Sequence, residues 1–290
     1  MDDPSVIFER IIFQAFGKQL PLKGAQLIAA GNLNQAVCLE TEEGNFFLKT
    51  NHLEASDIFL REIQGLELLR KNTSLHIPEI IHWGRVEDTN YLLLEWVPSA
   101  NPGKRYWQSL AEGMAELHMA TRENFGLDTS NYISILPQNN ALTLNWCSFY
   151  IQERLEPMLQ RAYFHQLIDE SFMNKFRELY PKIEGIFPKE KPALLHGDLW
   201  SGNVLVNASG SPTLIDPAVY FGHREMDIAF SKLFGGFEPY FYKFYQEVFP
   251  LEPGFEDRMD LYKLYPLLVH LNLFGTGYLA GIKRTINRYV

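Results

Sequence analysis

The chain has 290 residues, 46% hydrophobic and 14% aromatic, which is enough apolar material for a packed core in one or two domains. Its net charge of −9 argues against nucleic acid or an anionic membrane as partner, and no run of eighteen apolar residues predicts a membrane span. Cys38 and Cys147 lie far apart, and no hydrophobic secretory core precedes them, so we expect reduced thiols and a cytoplasmic protein.

The first part of the chain predicts a small sheet with two helices. The isoleucines within residues 5–16 share one helical face, and the apolar positions after residue 56 recur at intervals of three and four. Between residues 26 and 50 the period changes to two, as in strands. The predicted elements are, in order, a helix at 5–16, a strand from 26, a turn at 31–34, strands at 36–41 and 46–50, a helix from Ser56 or Asp57 to Arg70, and strands at 80–84 and 91–96.

Prolines and a glycine at 98–103 mark a linker, after which the signals are largely helical apart from residues 194–216. We therefore predict an α+β chain of two lobes. Residues 1–96 form a small antiparallel β-rich lobe with one key helix. Residues 97–290 form a larger, mainly helical lobe.

The strongest functional signal is the segment at 194–217, which reads L-L-H-G-D-L-W-S-G-N-V-L-V-N-A-S-G-S-P-T-L-I-D-P. Asp198 followed five residues later by Asn203 has the spacing of the protein-kinase catalytic loop. There the aspartate accepts a proton from the attacking hydroxyl and the asparagine binds magnesium. Alone this spacing is weak evidence, because Asp and Asn often do no more than form solvated turns.

A predicted hairpin adds a second carboxylate. Residues 204–206 and 213–215 read as short strands around a polar turn, so Asn203 and Asp216 come to the same end of the hairpin. Amide and carboxylate oxygens are hard ligands that suit Mg²⁺. We expect Asn203 and Asp216 to share one magnesium ion and Asp198 to act as the catalytic base.

Two charged residues in the first lobe complete the groups that a kinase needs. Lys49 closes the third predicted strand, and Glu62 borders the buried face of the next helix. In kinases a lysine and a glutamate at these places position the α- and β-phosphates of ATP. Each alone reads more simply as a solvated charge, but their order ahead of Asp198 favours the nucleotide role.

The rest of the expected nucleotide site is less distinctive. The turn between the first two strands has the position of a phosphate-covering loop, with a single glycine, Gly31, and with Asn32, which tolerates a left-handed backbone. At the exit of the last strand, the carbonyl of Glu95 and the N–H of Val97 are placed to pair with adenine. An ordinary strand exit explains these two residues equally well.

These residues and several longer motifs resemble the fructosamine-3-kinase, or ketosamine kinase, family, within the fold group of aminoglycoside phosphotransferases and choline kinases. The most specific motifs are L-H-G-D-L-W-S-G-N at 195–203 and I-D-P-A-V-Y-F-G-H-R-E-M-D-I-A at 215–229, and the resemblance extends over nearly the whole chain. Trp200 after H-G-D-L is typical of this family and not of the antibiotic kinases.

The resemblance implies a bilobal protein-kinase-like fold and phosphorylation of the 3-hydroxyl of a ketosamine, small or protein-bound, with ATP and Mg²⁺. The ketosamine is a fructosamine or a ribulosamine, and its unstable 3-phosphate eliminates, which deglycates the amine. Two alternatives remain: a kinase for another acceptor (aminoglycoside, choline or homoserine) and an inactive pseudokinase. No catalytic group is missing, which argues against the pseudokinase. Monomer and dimer are both open.

Three residues are assigned to the acceptor site. Trp200 lies two residues after the predicted base in a loop rich in serine and glycine, so we expect it to stack on a sugar or an amine and not to pack in the core. Arg224 is expected either to line the sugar site or to pair with Glu225. His270 lies in an apolar helix, where a histidine usually belongs to the core, and only the family resemblance points to the acceptor pocket.

Other polar residues have competing interpretations. For His196 we favour a structural role in holding the catalytic loop over a proton relay. Asp227 is expected to bind backbone N–H groups of that loop, to cap a helix, or both. The segment at 137–140 fits either the acceptor pocket or a surface turn.

Overall fold

The structure, a computed structural model, describes residues 4–30, 34–53 and 57–290. The N-lobe is a five-stranded antiparallel sheet in the order β1-β2-β3-β5-β4 with two helices. Its elements are α1 (Pro4–Phe16), β1 (Leu22–Ala30), β2 (Asn34–Thr41), β3 (Gly44–Asn51), α2 (Ile58–Asn72), β4 (Ile80–Val86) and β5 (Thr89–Glu95).

Both faces of this sheet are covered at β5, which lies between β3 and β4. Tyr91 and Leu93 point to one face, where they pack with two isoleucines of α1. Leu92 and Leu94 point to the opposite face and join the large core that contains α2 and the C-lobe. Because successive strand side chains alternate, an apolar run places residues on both faces, and each face then needs a covering element.

Helix α2 connects β3 to β4 and carries one of the predicted site residues. Ile63 and Leu66 recur on its buried face, as the sequence periodicity predicts. At Gly65 an added Cβ would lie only 3.3 Å from Pro217, so glycine allows this helix to approach the segment after Asp216 closely.

The C-lobe is mainly helical and carries several short hairpins. Its helices are α3 (Tyr106–Met119), α4 (Trp146–Phe149), α5 (Glu156–Phe164), α6 (Glu170–Arg177), α7 (Tyr180–Ile183), α8 (Glu225–Ser231), α9 (Pro239–Val248), α10 (Phe255–Tyr262), α11 (Leu264–Phe274) and α12 (Leu279–Tyr289). A π-helical segment follows α4 at Tyr150–Leu155, and 3₁₀ turns lie at Ser201–Asn203 and Thr276–Tyr278.

Three two-stranded ladders position the C-lobe loops. They are β6 (Asn131–Ile133) with β7 (Leu136–Gln138), β8 (Ala193–Leu195) with β11 (Tyr220–Gly222), and β9 (Val204–Val206) with β10 (Pro212–Leu214), all antiparallel. The β8–β11 ladder brackets the functional segment, and the β9–β10 ladder lies within it. The pairing of these short strands holds the loops between them in place.

The predicted α+β class and the bilobal protein-kinase-like fold are confirmed, together with both N-lobe helices and all five strands. Strand β1 begins at Leu22, earlier than predicted. Register shifts at 22–24 and 27–29 interrupt the alternation of side chains from which the strand was predicted, so the sequence pattern did not show its first residues. The predicted turn at 31–34 lies mostly outside the described residues. Strand β5 ends at Glu95, but the division into domains at residue 96 stays a prediction. Among the described residues no helix is both long and apolar enough to cross a membrane.

Candidate active site

The predicted catalytic loop leaves β8 through a glycine that the packing requires. Gly197 has a φ of +83°, and a Cβ there would lie 2.0 Å from the carbonyl oxygen of Ala218. Any side chain would therefore displace either this loop or the segment that follows Asp216. The glycine in H-G-D lets the two functional segments approach each other.

The backbone of the loop is held by Asp227. The N–H of His196 donates to Oδ2 at 2.7 Å and the N–H of Gly197 donates to Oδ1 at 3.0 Å. His118 Nε2 lies 3.2 Å from the same Oδ2, so this buried carboxylate is well supplied with donors. Asp227 is the third residue of α8 and not its cap, so it performs the loop-holding function.

The hydrogen bonds of His196 favour a structural role over a proton relay. Its Nδ1 accepts from the N–H of Asp198 at 3.3 Å, so Nε2 carries the proton and donates to the carbonyl of Ile215 at 3.0 Å. Burial lowers the pKa of His196, which keeps the ring neutral. With both nitrogens occupied, the ring joins the loop to the strand end before Asp216.

Asp198 is a more basic carboxylate than an aspartate in water. Asn203 Nδ2 donates to Asp198 Oδ2 at 2.8 Å and to the Asp198 carbonyl at 2.9 Å. Burial raises the pKa of Asp198 to about 7, although the bond from Asn203 opposes the rise. A carboxylate with a pKa near neutrality accepts a proton more readily than an ordinary surface carboxylate.

The β9–β10 hairpin brings the two predicted metal ligands to one end. Val204 pairs with Leu214, and the N–H of Ile215 donates to the carbonyl of Asn203 at 3.1 Å. Asp216 follows with a φ of +53°, and its side chain is 43% exposed toward the cavity.

The donor set fits a magnesium ion. Because the amide nitrogen of Asn203 faces a carboxylate, its Oδ1 is left as an acceptor, and it has no hydrogen-bond partner among the described residues. Asp216 Oδ1 accepts a hydrogen bond from Lys49, which leaves Oδ2 available as a second metal ligand. Two oxygen donors with room for water and phosphate oxygens are what Mg²⁺ requires. The described residues contain no group of three or more His, Cys, Asp or Glu side chains placed to hold a metal, so phosphate and water would supply the other ligands.

Lys49 links the two lobes at the site. Its Nζ lies 2.7 Å from Glu62 Oε1 and 2.5 Å from Asp216 Oδ1. Burial lowers the pKa of Lys49, but the charges of Asp216 and Glu62 outweigh it, so the pKa is raised and the ammonium stays charged. The structure thus brings together the lysine and glutamate that the sequence order predicted.

These groups line one cavity of about 340 Å³ between the lobes. Both Trp200 and His270 line it, together with Phe274. Trp200 meets Phe234 edge to face at 5.9 Å, and the rings of Phe234 and His270 lie 4.6 Å apart. We call the five rings on this side the ring cluster; it consists of Trp200, Phe234, His270, Phe274 and Tyr278.

Within the ring cluster His270 is oriented by its own helix. Its Nδ1 donates to the Pro266 carbonyl at 2.8 Å, and burial lowers its pKa, so the ring is neutral. That leaves Nε2 as a hydrogen-bond acceptor at the cavity wall. His270 therefore combines the core position expected of an apolar helix with a face on the cavity.

The structure corrects the assignment of Arg224 to the substrate. Its Nε donates to Glu190 Oε1 at 2.9 Å, and its terminal nitrogens donate to the backbone carbonyls of Phe249 and the next residue. It is buried and does not line the cavity. The alternative pairing with Glu225 is not formed either, because Glu225 binds Arg258. Arg224 and Glu225 are neighbours of opposite charge, but each forms its ion pair with a different residue.

The predicted adenine-binding residues lie at the exit of β5. The carboxylate of Glu95 accepts from the N–H of Glu79 at 3.0 Å and lies 3.1 Å from His76 Nε2. Neither Glu95 nor Val97 lines the cavity, and their contact with adenine stays a prediction. Gly31 and Asn32 lie outside the described residues.

Sequence reasoning left the role of 137–140 open and did not single out the other residues of the β6–β7 hairpin. Tyr132 and Ser134 line the cavity, whereas Gln138 is 1% exposed and bonds the backbone next to Asp216. The segment at 137–140 is thus neither a simple surface turn nor part of the pocket wall. One proline followed by three amides gave no signal that distinguishes these roles.

Comparisons with known proteins agree with this arrangement. The family model described as fructosamine kinase matches residues 6–290. A "probable ketoamine kinase" of Enterococcus faecium is 37% identical over 275 residues, which are 94% of this chain and 95% of that protein. A chloroplastic protein-ribulosamine 3-kinase of Oryza sativa subsp. indica is 34% identical, covering 94% of this chain and 81% of the relative.

Solved structures show the same fold. A fructosamine-3-kinase family protein from Haemophilus somnus superposes with a TM-score of 0.87 at 27% identity, covering 98% of this chain and 96% of that one. An aminoglycoside phosphotransferase has a TM-score of 0.66 at 17% identity over 98% and 99% of the two chains, which shows a shared fold alone. Asp198, Asn203, Asp216, Lys49 and Glu62 line one cavity, and the family model matches nearly the whole chain. The chain therefore belongs to the fructosamine kinase family and is a phosphotransferase that acts on an alcohol group.

Proposed function

We propose that the protein uses ATP and Mg²⁺ to phosphorylate the 3-hydroxyl of ketosamines, either fructosamines or ribulosamines, and so starts their deglycation. The observation that carries this proposal is the placement of Asp198 and Trp200 on the same cavity as Lys49. A proton acceptor, a sugar-stacking ring and a phosphate-binding cation then surround one volume. The names of the relatives, ketoamine kinase and ribulosamine 3-kinase, supply the acceptor class.

The residues of this chain act mainly by positioning and by charge, since phosphoryl transfer needs little covalent chemistry from a protein. Lys49, held by Glu62, orients the α- and β-phosphates. Asn203 and Asp216 would hold Mg²⁺, which when bound neutralises phosphate charge during transfer. Asp198 orients the acceptor hydroxyl and receives its proton.

The ring cluster suits a ketosamine acceptor. Such a molecule joins a polyhydroxylated sugar to an amine, and the face of an indole packs on the apolar faces of sugars and attracts cations. Trp200, two residues from Asp198, is placed to hold the sugar, and neutral His270 offers a hydrogen-bond acceptor to a hydroxyl. The 3-phosphate product is unstable: it loses inorganic phosphate by elimination, and water then hydrolyses the remaining imine, which frees the amine.

The test is a panel of fructosamines, ribulosamines and aminoglycosides assayed for ADP release, with the product position determined by phosphorus NMR. We expect release with the ketosamines and a phosphate on the 3-oxygen. Phosphorylation of an aminoglycoside without any ketosamine turnover would replace this proposal by the other-acceptor hypothesis. A phosphate on a different hydroxyl would overturn the deglycation step while leaving the kinase assignment intact.

A further inference from the structure

The β6–β7 hairpin of the C-lobe reaches across to the N-lobe helix that carries Glu62. The hydroxyl of Tyr132, in β6, donates to Asp57 Oδ1 at 2.7 Å. Asp57 directly precedes α2, and the two residues are 75 positions apart in the chain. This bond therefore joins the two lobes at the start of α2, beside the cavity that Tyr132 lines.

Asp57 does not make the contact usual for its position. An aspartate before a helix normally accepts a bond from a backbone N–H in the first turn, but the side chain of Asp57 makes no such bond. Its second oxygen accepts from Arg61 Nε at 2.7 Å. The carboxylate thus ties the phenol to the first turn of α2, and the residue after Arg61 is Glu62.

The base of the hairpin, next to Tyr132, is anchored to the segment that follows Asp216. Asn131 Nδ2 donates to the Val219 carbonyl at 2.8 Å, and Gln138 Nε2 donates to the Ala218 carbonyl at 3.0 Å. Gln138 also donates to Asn131 Oδ1 at 2.9 Å, and both side chains are buried. A satisfied buried amide network of this kind is rigid.

Two sets of contacts therefore connect Glu62 with Asp216. One is the pair of ion pairs through Lys49, and the other runs through Asp57 and the β6–β7 hairpin. Helix α2 touches the segment after Asp216 directly at Gly65, but that contact lies at the middle of the helix. The first turn, which immediately precedes Glu62, is linked to the hairpin by the bond from Tyr132. Ile58 and Phe59 keep the first turn packed in the core, so loss of this bond would loosen the turn without unfolding it, and the middle of α2 would stay packed.

We propose that Tyr132 and Asp57 form an interlobe clasp, a pair of positioning residues that holds Glu62 against Lys49 for phosphoryl transfer. The clasp rests on the proposed kinase function and adds to it a means of keeping the lobes in register. Neither residue is assigned a contact with the acceptor. The hydrogen bond to Asp57 raises the pKa of Tyr132, and the bond from Tyr132 lowers the pKa of Asp57, so a neutral donor faces a charged acceptor.

The central test is Tyr132→Phe, which removes the hydroxyl and keeps the ring. We expect kcat for ketosamine phosphorylation to fall about tenfold, the effect of losing one hydrogen bond to a charged group, with the ketosamine KM unchanged. In native-state hydrogen exchange, residues 58–62 should exchange faster while residues 66–72 keep their protection. Tyr240→Phe, which alters an exposed tyrosine, is the matched control and should change neither quantity.

A double-mutant cycle shows whether the two residues act as one unit. In an Asp57→Ala background, adding Tyr132→Phe should have no further effect on kcat. Additive losses would mean that Tyr132 acts without Asp57 and would overturn the clasp. A raised ketosamine KM with unchanged kcat would instead make Tyr132 a substrate contact, which also overturns it.

Failure of the clasp and failure of the proposed function give different results. Hydrogen exchange needs no acceptor, so faster exchange at 58–62 in Tyr132→Phe supports the clasp even if no ketosamine is phosphorylated. An active wild type with unchanged kcat and exchange in Tyr132→Phe would refute the clasp and leave the kinase assignment standing.

Discussion

The two sides of the active-site cavity are built from different contacts. On the catalytic side, Asp198, Asn203 and Asp216 are held by directional hydrogen bonds, many of them to backbone atoms that Asp227 and His196 fix in turn. On the other side, the ring cluster is held by edge and tilted ring contacts, and Phe274 is 66% exposed.

This difference corresponds to two different requirements. Phosphoryl transfer slows when the catalytic groups are displaced by about an ångström. Hydrogen bonds fix both distance and direction, so they suit the catalytic side. Ring faces offer an apolar surface without a demanding geometry, which suits acceptors with varied amines. Substitutions on the catalytic side should therefore act on turnover, and those in the ring cluster on acceptor affinity.

The largest expected effect is that of Asp198→Asn. Loss of the proton acceptor should lower kcat by about 10²–10⁴. Nucleotide affinity should stay nearly constant, because the proposed mechanism assigns Asp198 to the acceptor hydroxyl and not to the phosphates. Single-turnover rates and nucleotide titration measure the two quantities. Asp257→Asn, at an exposed carboxylate outside the cavity, is the control. Turnover within tenfold of the wild type would remove Asp198 from the role of base.

Asp216→Ala tests the metal-binding part of the catalytic side. Loss of a direct ligand should weaken MgATP binding by more than the roughly 10–100-fold that loss of an outer partner costs. Adenosine, which carries no phosphate, should bind as before. Calorimetric titration of both ligands, with and without Mg²⁺, gives the comparison. An unchanged dependence on Mg²⁺ would show that the ion binds elsewhere.

Trp200→Ala is the corresponding change in the ring cluster. Stacking contributes about 0.5–1.5 kcal/mol beyond area burial, so we expect the ketosamine KM to rise several-fold while the ATP KM stays within a few-fold. Steady-state kinetics with each substrate varied in turn measures both. Trp83→Ala, in β4 and outside the cavity, is the matched control. Selective loss of ATP affinity would move Trp200 to the nucleotide side.

Phe274→Ala should have the smallest effect. Its ring is mostly exposed, so its contacts with His270 and Tyr278 contribute near the lower end of the range for ring pairs, about 0.5 kcal/mol. We expect about a twofold rise in the ketosamine KM and no change in kcat, with Phe164→Ala, at a still more exposed phenylalanine, as the control. A loss of kcat comparable with that of Asp198→Asn would abolish the distinction between the two sides.

The sequence by itself determined the catalytic side. Its three polar residues, Asp198, Asn203 and Asp216, lie close together in the sequence. The spacing of the first two and the hairpin predicted before the third were enough to predict that they meet. Lys49 and Glu62 followed from the order of a strand and a helix. Local geometry governs such arrangements, and local geometry is what residue patterns encode.

Only the tertiary structure decided the partners of residues that meet across long distances in the chain. Arg224 could have faced a sugar, but Glu190 and two carbonyls from another loop take its donors. Gly197 reads as an ordinary turn glycine until the carbonyl of Ala218 is seen where its Cβ would lie. No pattern in the sequence pairs Tyr132 with Asp57, because a hydrogen bond between lobes depends on packing and leaves no periodic trace in the sequence.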